Sequence, residues 1–404
     1  MSEAPPGDTA SIDFVLALGR ALHRYGTPAH RLEEAISVVC GQLGLAAEVF
    51  STPTTLIMSF GAPAELRTRM MRVDDGQLDL AKLARVDALA DAVAARKVSV
   101  DEGSRRLAAI VAAPPTYDRF TSFVAHGVTA GAVAVFFGGA WADVGAATVI
   151  GLGLGILAQL VRRSTAQARV FELVGAMYAA FAAGVAAQIA PVSASLVTIA
   201  SLIALLPGMS LTVAMTELAT RNLIAGTTRL MAAVIVLLQL AVGVAVGERL
   251  ARELVGTFAI VPAALPEWAQ WSAVVTAALA MAVVVQAERR AVGWILGAAL
   301  LGFVGTRYGT AWLGGQLGVL VGAFALGALA NVFARLLDRP AQVVIIPAAM
   351  LLVPGSMGFR GMTSLIAHDT LTGVETVFAM FVVAIAIVGG LLLANATVSP
   401  RRSL

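Results

Sequence analysis

Few residues in this chain could do chemistry within apolar surroundings, and they gather in two short stretches. The first holds Glu217, Arg221 and Asn222; the second holds His368, Asp369 and Glu375. Hydroxyls accompany both sets, Thr212 and Thr216 in one, Ser356 and Thr363 in the other. An ionisable side chain at the centre of a membrane helix costs about 2.5–3.5 kcal/mol on insertion scales. Such groups therefore mark a substrate pathway or a proton relay. The chemistry on offer is recognition of a small zwitterion joined to proton movement. Carboxylates at Glu217 or Asp369 would accept an ammonium, and backbone N–H groups at helix breaks would meet a carboxylate. Glu217, Asp369, Glu375 and His368 are the proton-coupling candidates. The competing reading places each group, solvated and idle, in a headgroup-level loop.

The elements that carry these residues are versions of one another. Residues 205–226 read LLPGMSLTVAMTELATRNLIAG and residues 352–373 read LVPGSMGFRGMTSLIAHDTLTG. A gapless shift of 147 positions superposes Pro207 on Pro354, Gly208 on Gly355, Met215 on Met362, Thr216 on Thr363, Leu218 on Leu365 and Gly226 on Gly373. Asn222 falls on Asp369 and Arg221 on His368. Proline lacks the amide donor and clashes with the preceding turn, and glycine leaves helical dihedrals readily, so a Pro-Gly pair interrupts a helix. Interrupted segments at matching positions of two repeats point to a transporter's substrate site. Pro207, Gly208, Thr212, Thr216, Asn222, Pro354, Gly355, Ser356 and Thr363 are accordingly expected to line it. The plainer alternative is that both pairs end helices before ordinary loops.

Composition sets the class. Of 404 residues, 58% are hydrophobic and 13% charged, and mean hydropathy is +0.85. Soluble domains lie nearer 45–50% apolar and about 25% charged, so this is a polytopic membrane protein. Lys82 and Lys97 are the only lysines and neither follows a glycine, which excludes a Walker-type phosphate loop. The net charge of +3 and the lack of a basic run give no footprint for nucleic acid. Cys40 stands alone, which excludes an internal disulfide or a cysteine metal cluster. The polar start MSEAPPGDTA carries no signal-peptide pattern. No cofactor or metal motif is present, and without HExxH, CxxC or GxSxG an enzyme reading lacks a motif.

Charge is concentrated before residue 120, where 13 of 28 Lys/Arg and 15 of 25 Asp/Glu lie. Residues 1–119 read as a cytoplasmic α+β domain. Phe14, Leu18 and Leu22 place a helix over about 11–25. Gly26-Thr27-Pro28 reads as a stop, an N-cap and a proline at the first helical position of a helix over 28–43 that Gly44 closes. Strand-like runs follow at 47–52, 54–60 and 66–73, with a turn at Asp74-Asp75-Gly76, then helices near 79–97 and 100–113. Cys40 and His30 sit about 15 Å apart along one helix, too far for a catalytic pair, so the domain reads as regulatory or structural.

Ten apolar segments follow, near 121–138, 142–161, 170–189, 192–206, 226–247, 268–286, 291–306, 310–334, 341–353 and 372–395. Most approach the ~20 residues that cross a bilayer; the fourth and ninth are short and run into the Pro-Gly pairs. Arg162, Arg163, Arg169, Arg289, Arg290, Arg335, Arg339, Arg401 and Arg402 fall on one side if the spans alternate, which the positive-inside rule makes cytoplasmic, with both termini. The loop 248–267 carries arginines balanced by glutamates on the other side. Five spans per half, 120–250 and 251–404, relate the halves by inversion. The first Pro-Gly is then expected toward the cytoplasm and the second toward the outside, as two gates. Glu172, His126, Asp143, Gln159 and Tyr178 are further polar groups at or near the spans, with no sharper role.

The chain resembles the threonine/serine exporter family. The resemblance rests on Leu16-Ala-Leu-Gly-Arg-Ala-Leu-His-Arg-Tyr-Gly-Thr27, Arg31-Leu-Glu33 and Gln42-Leu-Gly44, then Leu206-Pro-Gly208 with Glu217, Asn222 and Gly226, and Val353-Pro-Gly355. It implies export of L-threonine and L-serine across the bacterial inner membrane, driven by the proton motive force. Related two-component systems resemble dicarboxylate (succinate) exporters, which keeps that substrate class open. A passive channel and a membrane-anchored enzyme with a catalytic N-terminal domain are the other readings. The expected partners are the amino acid, protons and the lipid bilayer, with homo-oligomerisation left open.

Overall fold

The computed structural model describes residues 6–62, 66–73, 78–161, 170–256, 265–352 and 354–399. Arg162, Arg163, Arg169, Arg401 and Arg402, and the turn at Asp74-Asp75-Gly76, lie outside the described residues.

The N-terminal part contains α1 (Pro6–Arg24), α2 (Ala29–Leu43), strands β1 (Ala47–Thr52), β2 (Thr55–Phe60) and β3 (Arg67–Arg72), then α3 (Leu80–Ala94) and α4 (Val100–Ala112). The strands form an antiparallel meander in the order β1-β2-β3. Alternation along β2 buries Leu56, Met58 and Phe60, which meet Phe14, Leu18 and Leu22 of α1 and Leu32, Ile36 and Val39 of α2 in one core. Gly44 ends α2 in the left-handed conformation (φ 74°), as glycine allows. The start of α2 departs from the sequence expectation. Pro28 occupies the N-cap position and supplies no side-chain bond, and Thr27 Oγ1 is buried without a partner among the described residues.

Among the described residues twelve further α-helices follow: α5 (Arg119–Phe136), α6 (Trp141–Val161), α7 (Phe171–Ile189), α8 (Ala194–Ser201), α9 (Gly208–Ala219), α10 (Leu223–Val255), α11 (Glu267–Val284), α12 (Val292–Leu313), α13 (Gly318–Leu337), α14 (Gln342–Ala349), α15 (Gly355–Ile366) and α16 (Thr370–Thr397). Eight of them are long and apolar enough to cross a membrane. The chain is thus a mainly helical, multi-pass membrane protein. The fourth and ninth segments read from sequence are not spans as drawn. Each is an eight-residue helix, α8 or α14, of about 12 Å at 1.5 Å per residue, against a hydrocarbon core of about 30 Å. The helix resumes immediately after each Pro-Gly for twelve residues, in α9 and α15, so the break lies inside the apolar element and not at its end.

The 147-residue shift extends well beyond the matched residues. It carries Gly208–Ala219 onto Gly355–Ile366 and the start of α10 onto the start of α16. Pro207 (φ −78°) and Pro354 (φ −79°) share backbone geometry. The residues that close the two twelve-residue helices, Arg221 (φ 66°) and His368 (φ 63°), both adopt the left-handed conformation unusual outside glycine.

The N-terminal part is not a separate globule. Its core cluster continues into Val274, Ala278, Val285, Ile295, Leu326 and Val344 of the second half. The Leu80 and Ala81 amides, unpaired within α3, donate to the Val285 and Gln286 carbonyls at the end of α11 (both 3.0 Å). Two helix ends thereby satisfy each other's orphan groups, head to tail. Gln286 Oε1 accepts from the Tyr117 amide (2.8 Å), and Arg339 donates to the Ala84 carbonyl (3.1 Å).

Candidate substrate site

The two helix breaks touch. A methyl group on Gly355 would stand 3.0 Å from the Gly208 Cα and 3.1 Å from its amide nitrogen. A side chain at Gly355 would press directly on the facing backbone, so the close approach favours glycine there. The placement of the two Pro-Gly pairs toward opposite faces, expected from topology, is corrected: they are apposed. The physical reason is that each pair lies within its element, with helix on both sides. Each break also creates the N-terminal end of a helix, whose first amides lack intrahelical partners, and the two ends meet at Gly208 and Gly355.

The side chains on the first copy are mostly committed. Thr212 Oγ1 bonds back to the Gly208 carbonyl (3.2 Å), and Thr216 Oγ1 to that of Thr212 (2.9 Å). Asn222 Nδ2 donates to the Thr220 carbonyl and hydroxyl (3.4 Å each). Glu217 is fully buried. Its carboxylate accepts from the Ala29 amide at the start of α2 (3.1 Å) and pairs with Arg229 of α10 (3.1 Å). A carboxylate 188 residues away therefore caps the helix that Pro28 leaves uncapped, at the end where the helix dipole favours negative charge. Glu33 lies nearby and accepts from the Ser51 amide (2.7 Å); burial, and after it the Glu217 charge, raise its pKa.

The second copy is open. His368, Asp369 and Glu375 are all exposed. Asp369 Oδ1 caps α16 through the Thr372 amide (3.4 Å), and Thr363 Oγ1 bonds to the Arg360 carbonyl (2.9 Å). The four proton-coupling candidates are consequently not one cluster: Glu217 is sealed under the N-terminal part and the other three stand together at the far end of α15.

Two arginines escaped the sequence reading. Arg229 is the partner of Glu217, and Arg360 lies over the Phe137 ring at 4.8 Å. The signal was available for Arg229, which lies within the apolar segment 226–247 where an arginine is costly; Arg360 falls between two apolar segments and gave none. Buried Asp143 and Asn331 serve structure: Asp143 accepts from the Ala140 and Ser193 amides (2.7 Å each) and fixes the start of α8, while Asn331 Nδ2 donates to Asn395 Oδ1 (2.9 Å) and the Val398 carbonyl (2.8 Å). In the N-terminal part, burial pushes the Cys40 thiol up to about 11 and, aided by Arg31, the His30 imidazole down to about 4. Neither shift suits a nucleophile and its base. Among the described residues no cluster of His, Cys, Asp and Glu could hold a metal ion.

Comparison with known proteins supports the same class. The chain is similar to "Pheromone-regulated membrane protein 10" of Eremothecium gossypii, 26% identical over 362 residues, covering 86% of this chain and 48% of that protein. A protein of the same description from Pichia sorbitophila is 27% identical over 383 residues, covering 88% and 37%. An uncharacterized protein of Schizosaccharomyces pombe is 25% identical over 362 residues, covering 86% and 48%. The chain spans about half or less of these relatives' length. No solved structure matches it. One family model, described as a putative threonine/serine exporter, matches residues 13–251, and a second, described as a threonine/serine exporter, matches residues 270–397. Matched in this way over both halves, the chain belongs to the threonine/serine exporter family.

Proposed function

We propose that the protein is a secondary active exporter of small polar amino acids, L-threonine and L-serine, working by alternating access and driven by the proton motive force. The observation that carries the reading is the contact between two duplicated helix breaks, Gly208 against Gly355, inside a multi-pass bundle. Broken helices that cross at one level supply free helix ends to a substrate without exposing them to lipid. On this reading α8–α9 and α14–α15 are antiparallel broken spans, completing ten in two inverted five-helix repeats. The N-terminal part and the C-terminus lie in the cytoplasm and the protein in the bacterial inner membrane. Pro207, Gly208, Thr212, Thr216, Asn222, Pro354, Gly355, Ser356 and Thr363 surround the path.

Glu217 then has a defined part. While ionised it holds Arg229 and the start of α2, which closes the inner end of α9. Protonation removes the charge that both partners meet and frees that end, so a proton and the inner gate share one carboxylate. Asp369, His368 and Glu375 occupy the matching place at the outer end, where they exchange protons with solvent. The substrate is assigned from the family.

The test is efflux of labelled threonine, serine and succinate from proteoliposomes, with and without an imposed proton gradient. Gradient-stimulated threonine or serine efflux is the expected result. Flux indifferent to the gradient would make the protein a passive channel, and flux of succinate alone would reassign the substrate to dicarboxylates.

A further inference from the structure

A polar stripe runs along α15 on the side away from its packing face. Gly355, Gly358 and Phe359 are buried, whereas Ser356, Arg360 and Thr363, spaced i, i+4 and i+7, share the more open side. Arg360 is exposed, and among the described residues its guanidinium has no ion pair and no hydrogen bond. Its one close partner is the Phe137 ring at the end of α5, 4.8 Å away, a contact that steadies a cation without neutralising it. The ring comes from the first half of the chain and the arginine from the second, so the pair bridges the two halves. Ser356 lies one turn nearer the Gly208–Gly355 contact, and among the described residues its hydroxyl is unbonded.

An arginine held against an aromatic ring, with no counter-ion among the described residues, keeps its donors open to an anionic partner. Its planar fork of donors matches a carboxylate bidentately, which lysine cannot reproduce. We infer that Arg360, with Ser356 beside it, binds the carboxylate of the transported substrate on the outer side of the two apposed helix breaks. The assignment rests on the transport reading given above. It divides the zwitterion between separate places, its carboxylate on α15 and its ammonium elsewhere on the path.

The experiment uses the full chain in proteoliposomes, comparing wild type with R360Q, R360K and F137L. Threonine is set against threoninol, which lacks the carboxylate, and against succinate, which carries two. Wild type is expected to transport threonine and to ignore threoninol as an inhibitor. R360Q is expected to raise the threonine KM at least tenfold and to lose the discrimination, R360K to recover part of it, and F137L to raise KM a few-fold with kcat retained. If succinate proves to be the substrate, the same loss in R360Q supports the same carboxylate site. Should R360Q fail to fold, R360K and F137L still decide: a raised threonine KM with weakened discrimination against threoninol supports the site, and unchanged KM and discrimination in both overturns it. An R360Q protein with unchanged KM and discrimination also overturns it, leaving Arg360 as an anchor at the membrane surface. Wild-type protein that moves none of the solutes would instead remove the transport reading, a separate failure.

Discussion

The two Pro-Gly elements share a backbone and differ in almost everything around it. Both are twelve-residue helices opened by proline and closed by a left-handed residue. The first ends in a carboxylate with no exposed surface, bound to an arginine and to the start of a helix from the N-terminal part. The second ends in three exposed ionisable groups and carries an arginine that has no ion pair among the described residues. A duplicated local sequence thus yields the same fold twice, while the neighbours decide which copy is covered. The N-terminal part meets the end of the first copy at Ala29, while the corresponding end of the second stays exposed.

The largest expected asymmetry is in stability. Glu217→Ala strands Arg229 and uncaps α2, and breaking a buried ion pair costs about 3–5 kcal/mol. Asp369→Ala at the matching end removes only an exposed cap, worth about 1 kcal/mol. Denaturation of the detergent-purified variants should separate the two clearly; equal losses would erase the distinction between a covered and an open copy.

Next in size is the contact the copies share. Gly355→Ala forces a methyl group to 3.0 Å from the Gly208 Cα, and overpacking of this kind costs about 1–3 kcal/mol. Transport should fall more steeply than stability, because both breaks are displaced together. Wild-type flux in this variant would show that the contact is incidental.

The covered side should also respond to pH. Asp87 on α3 is buried, and desolvation with the Asp91 charge raises its pKa to about 8 against the opposing pull of Arg339 and Arg31. Between the ordinary aspartate value near 3.9 and about 8, the folded protein holds a proton the unfolded chain has lost. Stability from this group therefore declines as pH rises through that window. Asp87→Asn should flatten the decline in melts recorded between pH 6 and 9; a decline of wild-type steepness in that variant would remove Asp87 as its source.

The smallest effect tests what the copies have in common. Arg221→Gly and His368→Gly each relieve a left-handed residue, a strain of about 1–2 kcal/mol, partly offset by the greater freedom of glycine in the unfolded chain. Both should gain about 0.5 kcal/mol in equilibrium unfolding. Opposite signs would mean that the two turns are not equivalent.

Local order was largely legible. Strands at 47–52, 54–60 and 66–73 coincide with β1–β3 at three of six ends and differ by one residue at the other three, because alternation and the flanking prolines and glycines act locally. The helix breaks were legible for the same reason, proline and glycine being obstacles wherever they stand. What escaped was anything that needed a partner. Thr27 was expected to cap α2, yet the Ala29 amide is taken by Glu217, and no spacing rule links positions 29 and 217. Arg229 and Arg360 were passed over because neither sits in a repeated position of the Pro-Gly match.

By itself, the amino-acid sequence determined a multi-pass helical membrane protein with a polar α+β start and one interrupted element used twice. Those features follow from hydropathy, short-range periodicity and the stereochemistry of proline and glycine, which do not depend on distant residues. Only the tertiary structure decided that the interruptions touch, that Glu217 is sealed while Asp369 is open, and that Arg360 meets Phe137. Each of these depends on which surfaces are brought together by packing across more than a hundred residues, and burial, not residue type, sets what a charged group can do.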